Sequence, residues 1–236
     1  MNPFKSLLDL FLPRECHVCG SRLLDCEDFV CAPCIERLPV TGYEKYWHNK
    51  TAPNSDLNPM EQRFAGQIPL QRACAPFFYT RDSALASLVH DFKYRNFPRL
   101  ASVLGGIGAR GLIESGFFEG VDLLLPVPLH WSKRLRRGYN QSELIAMGVS
   151  EATGIPVAKN LKASRPHRTQ TALSSEQRIA NTRGIFTVDS PAALSGKTVM
   201  LVDDICTTGA TLLSASEAVV KAAPGVAIRI FTLGVV

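Results

Sequence analysis

Two adjacent carboxylates and a run of hydroxyl residues are the clearest chemical signal in this chain. Asp203 and Asp204 follow the apolar run Val199–Val202, and a T-T-G-A-T loop comes shortly after them. Carboxylates can accept hydrogen bonds from a sugar diol or hold Mg²⁺ through water. Thr hydroxyls and the N–H groups at a helix start can surround a phosphate, and glycine lets the backbone approach it. The pattern predicts a sugar-phosphate site, whose phosphate-binding residues are Thr207, Thr208, Gly209, Ala210 and Thr211.

The elements around these residues follow from their apolar patterns. The run Val199–Val202 has the length and character of a strand buried on both faces, and Leu212–Lys221 has helical spacing. Ligands of parallel α/β sheets bind outside the carboxyl ends of strands, where both acids would lie. The alternative is an ordinary strand–helix unit in which Asp204 or a threonine only caps the helix.

A basic loop follows a second predicted strand. Residues 121–128 (V-D-L-L-L-P-V-P) indicate a buried strand that stops at two prolines. Beyond it the cations are Lys133, Arg134, Arg136 and Arg137, and no acid occurs between Leu123 and Ser142. Such a loop is well placed for a pyrophosphate-like anion, with a solvated basic loop as the alternative. Asn140 with Glu143 resembles a capping box that opens the next helix.

A polar, basic segment at 165–178 is a second candidate for an anion. It could close over a bound ligand as a lid, or form a surface hairpin that binds nucleic acid. The residues predicted to meet nucleic acid are Arg136, Arg165, Arg168 and Arg178. The cations His90, Lys93 and Arg95 follow a predicted helix at 82–92, either near a phosphate or as a solvated helix end.

Four cysteines have the spacing of a metal site. Two C-x₂-C pairs, Cys16/Cys19 and Cys31/Cys34, are separated by eleven residues. Each pair can present two thiolates from one tight turn, and together they predict a closed, structural Zn²⁺ site. Cys26 and the possible donor His17 are interpreted as bystanders.

Composition is that of a globular protein, with 46% hydrophobic and 20% charged residues in 236. Residues 1–72 carry eight Lys/Arg against nine Asp/Glu, whereas residues 73–236 carry eighteen against twelve. The larger region is therefore the one expected to meet an anion. The N-terminal run contains Asp9 and no small-residue cleavage site, and no stretch is apolar enough for a membrane span, so we predict a cytoplasmic protein.

The remaining patterns give a domain organisation. Alternating helix and strand signals from Ala73 to the end predict a parallel α/β sheet, with a last strand at Ala227–Val235. We predict a short helix at 4–12 and the zinc ribbon within residues 1–40, a linker at 41–72, and an α/β domain at 73–236. The G-x-G-x-x-G match at 106–111 is rejected as a dinucleotide site because no strand precedes it.

Two resemblances extend this interpretation. V-D-D-I-C-T-T-G-A-T (202–211) resembles the phosphoribosyl pyrophosphate (PRPP) signature of type I phosphoribosyltransferases. That resemblance implies that Asp203 and Asp204 contact the ribose hydroxyls, that Thr207–Thr211 bind the 5-phosphate, and that Mg²⁺ accompanies PRPP. The chain as a whole is similar to the ComF/GntX family through its four-cysteine ribbon, F-K-Y-R-N (92–96), L-P-V-P-L-H (125–130), R-G-Y-N-Q-S-E-L (137–144) and the R-T…L-S…N-x-R-G-x-F segment.

The family resemblance implies a type I phosphoribosyltransferase-like sheet and a role in handling single-stranded DNA during natural transformation, with a helicase as partner. Two other functions stay open. One is an active phosphoribosyltransferase acting on a nucleobase or related acceptor, in which Asp203 and Asp204 are catalytic. The other is a PRPP-sensing regulator. Many active phosphoribosyltransferases carry a dedicated segment, the hood, that positions the acceptor. In this chain the only extra module is the four-cysteine ribbon, which favours the DNA role.

Overall fold

A computed structural model describes residues 13–47, 57–129, 135, 137–163 and 184–236. The helix predicted at 4–12 lies outside these residues, as do Lys133, Arg134, Arg136, Arg165, Arg168 and Arg178. Among the described helices, none is both long and apolar enough to cross a membrane.

The core is a parallel sheet. Its strands are β1 (Leu70–Cys74), β2 (Phe77–Phe78), β3 (Leu123–Pro126), β6 (Thr198–Cys206) and β7 (Ala227–Val235). The order is β1-β7-β6-β3, with β2 also paired to β7, and every pair in this sheet is parallel. Two short strands, β4 (Leu161–Ala163) and β5 (Phe186–Val188), form a separate antiparallel pair.

Helices flank the sheet and connect its strands. They are α1 (Ala32–Glu36), α2 (Pro59–Gln62), α3 (Ala84–Tyr94), α4 (Pro98–Arg110), α5 (Gln141–Thr153) and α6 (Ala210–Ala222), with 3₁₀ turns at Tyr43–Trp47 and Pro191–Ala193. Ser83 caps α3 by accepting a hydrogen bond from the Ala86 N–H, and Asn140 caps α5 by accepting one from the Ser142 N–H.

The predicted α/β class is confirmed, and the last strand matches its predicted bounds. The central strand is longer than its apolar run, because β6 continues through both acids to Cys206. Backbone pairing explains the extension, since Asp203 lies opposite Thr232 and Ile205 opposite Gly234 on β7. Outside the named strands, Val157 forms a single parallel bridge with Leu124 of β3.

The segment predicted as a linker contributes to the folded body. Residues 41–72 contain the turn Tyr43–Trp47, helix α2 and the start of β1. Met60 and Phe64 are fully buried, and the buried Glu61 carboxylate accepts hydrogen bonds from the Asn58 and Ala73 N–H groups. Met60 and Phe64 thus pack into the core from a segment that was expected to be a linker. The boundaries of the proposed domains stay predictions.

Helices α4 and α5 cross with their backbones in contact. Gly105 faces the Ile145 carbonyl of α5, and Gly148 of α5 faces the Ser102 carbonyl of α4, where a side chain would overlap these backbone atoms. The G-x-G-x-x-G match begins inside α4, so its first glycines serve helix packing. The rejection of a dinucleotide loop at this position agrees with the structure.

Replacing Gly148 with alanine should destabilise the protein strongly. Its Cβ would overlap the Ser102 carbonyl oxygen, and backbone yields less easily than a side-chain end. We expect a loss of about 3 kcal/mol or more in the free energy of unfolding, measured with urea.

Gly111→Ala is the matched control. Gly111 has φ −63°, and the nearest atom to its added Cβ is 3.7 Å away, so stability should change little. Equal stabilities of the two variants would contradict the backbone contact.

Candidate functional site

The acid pair lies at the carboxyl end of β6, and its two members have different partners. Asp203 Oδ1 accepts hydrogen bonds from the Ser142 hydroxyl (2.8 Å) and the Asp204 N–H (2.9 Å). Enclosure by the surrounding protein, and then repulsion by Asp204, raise the pKa of Asp203 to about 7 although these hydrogen bonds oppose the shift. Asp203 is therefore a carboxyl group that can hold a proton near neutral pH.

Asp204 is paired with a lysine from α3. Lys93 Nζ lies 2.7 Å from Asp204 Oδ2, and both side chains are largely buried. Burial lowers the pKa of Lys93, but attraction by Asp204 and Asp203 outweighs it, so the pKa is raised. The ammonium therefore stays charged and balances the acid pair.

A cavity of about 200 Å³ opens over the two acids. Its polar lining comes from the end of β6, the last turn of α3, the starts of α5 and α6, and Arg137 in the segment before α5. The lining residues used below are Lys93, Arg137, Gln141, Ser142, Asp203, Asp204 and Thr211. Gln141 is 1% exposed, and its Nε2 has no hydrogen-bond partner among the described residues. An unpartnered buried amide in a cavity wall is a donor available to a ligand.

The threonine loop is held in place by the segment that was expected to be a linker. Gly209 has φ +80°, and a Cβ there would lie 3.0 Å from the Phe64 ring, so glycine is required twice over. Arg63 donates hydrogen bonds to the backbone carbonyls of Thr207 and Val236. Thr208 Oγ1 accepts from the Ala210 N–H at 3.4 Å, at the start of α6.

The structure thus brings together part of the predicted site. Asp203, Asp204, Thr211 and Arg137 line one cavity, and Thr207–Ala210 lie in the adjoining loop, where both threonines are exposed. Arg137 stacks on Tyr94, with its guanidinium carbon 5.1 Å from the ring centroid. The other predicted cations of the basic loop, Lys133, Arg134 and Arg136, lie outside the described residues.

Three cavity residues were missed or undervalued from the sequence. Gln141 and Ser142 follow the cap Asn140 and were not among the predicted ligand-binding residues, although a helix that starts at a sheet edge can direct its first side chains towards a ligand there. Lys93 was considered near a phosphate but not as the partner of Asp204. A cation 111 positions away carries no local signal of that pairing.

The four cysteines form the predicted cluster. The Sγ atoms of Cys16, Cys19, Cys31 and Cys34 all lie within 4.8 Å of one another, and Cys19 and Cys31 are 3.7 Å apart. A tetrahedral Zn²⁺ with bonds of about 2.3 Å needs sulfurs about 3.8 Å apart, so the cluster is compatible with structural zinc. Each pair comes from a tight local structure: a turn closed by the Cys16–Ser21 hydrogen bond, and the start of α1.

The surroundings of the four thiols shift their pKa values in opposite directions. Hydrogen bonds from the Ser21 side chain and backbone lower the pKa of Cys19 to about 6. Burial and the neighbouring thiols raise the pKa of Cys34 to about 12. A divalent metal supplies the positive charge that four clustered thiolates need.

His17 points away from the cluster, towards α3. Its Nδ1 lies 2.7 Å from Asp91 Oδ2, and its ring contacts Phe97 edge-on at 4.5 Å between centroids. The interpretation of His17 as a bystander to the metal fits this placement.

Comparison with known proteins shows the family. No model of a known protein family matches the chain. Competence protein ComFC of Bacillus subtilis is 30% identical over 230 residues, which cover 96% of this chain and 87% of ComFC. The chain belongs to the ComF/GntX family.

Other family relatives match over shorter spans. Competence protein F of Haemophilus influenzae is 31% identical over 138 residues, 56% of this chain and 60% of that protein's length. DNA utilization protein YhgH of Salmonella typhi is 28% identical over 158 residues, 65% of this chain and 67% of YhgH.

Solved structures show a distant likeness. The allosteric regulatory enzyme of purine biosynthesis is 24% identical with a TM-score of 0.40, covering 60% of this chain and 29% of that enzyme. Adenine phosphoribosyltransferase of Leishmania tarentolae is 13% identical with a TM-score of 0.37, covering 75% of this chain and 88% of that chain.

Removing one thiol of the cluster should abolish zinc binding. We expect Cys34→Ser to lose the bound zinc and to lower the unfolding temperature, because metal binding contributes on the order of 10 kcal/mol to folding such a module. Zinc per chain is measured by atomic absorption.

Cys26→Ser is the control, since exposed Cys26 lies outside the cluster and its variant should keep one zinc per chain. Equal zinc content in the two variants would refute the assignment of the four ligands.

Replacing Asp203 with asparagine should remove a pH dependence of stability. Folded Asp203 keeps its proton up to about pH 7, whereas an unfolded aspartate loses it near pH ~4. The folded state binds more protons in between, so wild-type stability falls as pH rises through this interval. Asp203→Asn lacks this pH dependence. At neutral pH its free energy of unfolding should therefore exceed that of wild type by on the order of 2 kcal/mol.

Urea unfolding at a series of pH values measures this difference. Identical slopes for wild type and Asp203→Asn would show that Asp203 does not hold a proton near neutrality.

Proposed function

We propose that this protein binds PRPP, or another ribose phosphate, in the cavity over Asp203 and Asp204 and acts in the handling of DNA during competence. The observation that carries the ligand is the meeting of the acid pair, the threonine loop and the cations Lys93 and Arg137 at one sheet edge. The ribose, the 5-phosphate and the pyrophosphate of PRPP would each have chemically suitable groups at this edge.

The acid pair suits a ribose diol. Asp203 with its proton can donate a hydrogen bond, and Asp204 can accept one, so together they match two adjacent hydroxyls. Both acids come from a strand that pairs with β3 up to Val202 and with β7 through Asp203 to Cys206, so their backbone belongs to the sheet.

The loop Thr207–Thr211 suits the 5-phosphate. It leads into the thirteen-residue helix α6, whose first N–H groups and dipole favour an anion. The Phe64 ring lies against Gly209, and Arg63 donates a hydrogen bond to the Thr207 carbonyl. These contacts set the shape of the loop before a ligand binds.

The opposite wall suits a pyrophosphate. Lys93 and Arg137 supply two cations, and Gln141 supplies a free amide donor. Lys133 and Arg134 are proposed to add charge from the same loop, and Mg²⁺ accompanying PRPP would supply further positive charge to the phosphates.

Titration calorimetry with PRPP and Mg²⁺ tests the ligand. We expect binding by wild type and a loss of about tenfold or more in Asp204→Asn, which removes a charged hydrogen-bond acceptor, and in the double variant Asp203→Asn/Asp204→Asn. No heat with wild type would refute the site.

Gly209→Ala isolates the loop. Gly154→Ala is its matched control, because Gly154 has a similar φ of +76° but an open space where the Cβ would lie. Both variants should lose about 1 kcal/mol of stability through backbone strain, and Gly209→Ala should lose more because its Cβ would crowd the Phe64 ring. Only Gly209→Ala should weaken PRPP binding.

The role in DNA handling rests on the family. Its relatives are called competence proteins and DNA utilization proteins, and the excess of cations in residues 73–236 suits a polyanion. We propose single-stranded DNA as the nucleic acid, bound through Arg136, Arg165, Arg168 and Arg178, and a helicase of the transformation machinery as the protein partner.

Oligonucleotide binding at several salt concentrations tests this role. Affinity should fall steeply with salt through counterion release. It should also fall when Arg134, Arg136 and Arg137 are neutralised, but not when the exposed Arg37, Arg81 and Lys221 are. Equal losses for both triple variants would mean that the basic loop has no special role.

Release of pyrophosphate from PRPP, with a panel of nucleobases, separates the enzyme alternative from the binding role. Turnover with one base would establish a phosphoribosyltransferase, and binding without turnover would favour a sensor or a DNA-handling protein.

A further inference from the structure

We propose that His17 is a positioning residue for the cavity: through Asp91 it fixes the last turn of α3 so that Lys93 stays paired with Asp204. The cysteine ribbon would then be a structural part of the ligand site. The proposal rests on the proposed function only in making Lys93 a ligand-binding residue, since the contacts themselves are independent of it.

The first contact joins the ribbon to α3. His17 lies in the turn between Cys16 and Cys19, and its Nδ1 donates to Asp91 Oδ2 at 2.7 Å. Asp91 is only 3% exposed, and this is its one side-chain hydrogen bond within the described residues. Arg95, at 3.3 Å from Asp91 Oδ1, is an exposed ion-pair partner. Without His17 the buried Asp91 carboxylate would lose this hydrogen bond. An unpaired buried acceptor is unfavourable, and a shift of the last turn of α3 would relieve it.

Two aromatic rings orient the imidazole. Phe97 and Phe29 contact it edge-on, with ring centroids 4.5 and 5.6 Å away. Phe29 itself has φ +63°, and Asn96, directly before Phe97, has φ +62°. Positive φ is unfavourable for a bulky residue such as phenylalanine. The chain therefore adopts two uncommon backbone conformations where it encloses His17.

The second contact lies on the other side of the same helix turn. Two residues correspond to a rotation of about 200° on a helix, so Asp91 and Lys93 project from opposite faces of α3. Asp91 meets the ribbon on one face, and Lys93 meets Asp204 on the other at 2.7 Å. Between them, the Phe92 carbonyl accepts a hydrogen bond from the Tyr139 hydroxyl. A movement of the turn away from the ribbon would therefore move Lys93.

The backbone of His17 lies between two of the four cysteines. The zinc that they fit would hold the Cys16–Cys19 turn, and with it the imidazole. Folding of the ribbon would thereby be linked to the geometry of a cavity formed by other parts of the chain.

The accessibility of the Lys93 amine tests this coupling without any ligand. The full-length, zinc-loaded protein is acylated with an amine-reactive ester, and modification of Lys93 is followed by peptide mass spectrometry. We expect His17→Ala and Asp91→Ala to raise the Lys93 rate roughly fivefold or more, as the loss of one buried hydrogen bond implies. His17→Asn, whose amide can take the place of Nδ1, should remain near the wild-type rate.

Two controls separate positioning from damage. Zinc content should stay at one per chain in each variant, and Lys162, paired with Asp189 beside the β4–β5 strands, should keep its wild-type rate. An unchanged Lys93 rate in His17→Ala and Asp91→Ala would overturn the proposal. So would a loss of zinc in His17→Ala with an unchanged Lys93 rate in Asp91→Ala.

A double-mutant cycle tests whether His17 affects PRPP binding through Lys93. If His17 acts through Lys93, His17→Ala should weaken PRPP binding in wild type but add nothing to Lys93→Ala. Additive losses would overturn the proposed route. If wild type binds no PRPP, the proposed function fails, while the acylation experiment still decides whether His17 positions Lys93.

Discussion

Two adjacent carboxylates at the end of a buried strand cannot both carry charge without partners, and this constraint organises the cavity. Asp203 meets it by holding a proton, with a pKa of about 7, and Asp204 meets it by pairing with Lys93. The two acids also have different neighbours: the start of α5 supplies Ser142, whose hydroxyl donates to Asp203, and the end of α3 supplies Lys93, which pairs with Asp204. The arrangement of both helices around β6 is thus tied to the charge of the acid pair.

Much of the fold and the chemical centre of the site could be predicted from local pattern. Strand β7 was predicted with its observed bounds because a run of strong strand character follows the break at Pro224 and Gly225. The four cysteines were found by spacing alone, since C-x₂-C is a signature of one turn with two ligands. The acids and threonines of β6 and its loop were found because their chemistry is contiguous in the chain.

The remaining features depend on contacts between distant segments. Arg63 and Phe64 brace the threonine loop from a stretch with few apolar residues, which therefore resembles a linker. The contacts of His17 with Asp91 and of Lys93 with Asp204 span 74 and 111 positions, and no periodicity encodes them. The strand β6 exceeds its apolar run because the backbone of β7 continues to pair with it, whatever the side chains are.

The glycine crossing of α4 and α5 limits which walls of the cavity can change position. Because Gly105 and Gly148 bring main chains into contact, α5 cannot slide or tilt without a collision, and its first turn keeps one position. The part of the cavity wall formed by Gln141 and Ser142 is therefore fixed in position. A cavity of another size would therefore have to arise from its other walls, where a loop can change in length and sequence at little energetic cost.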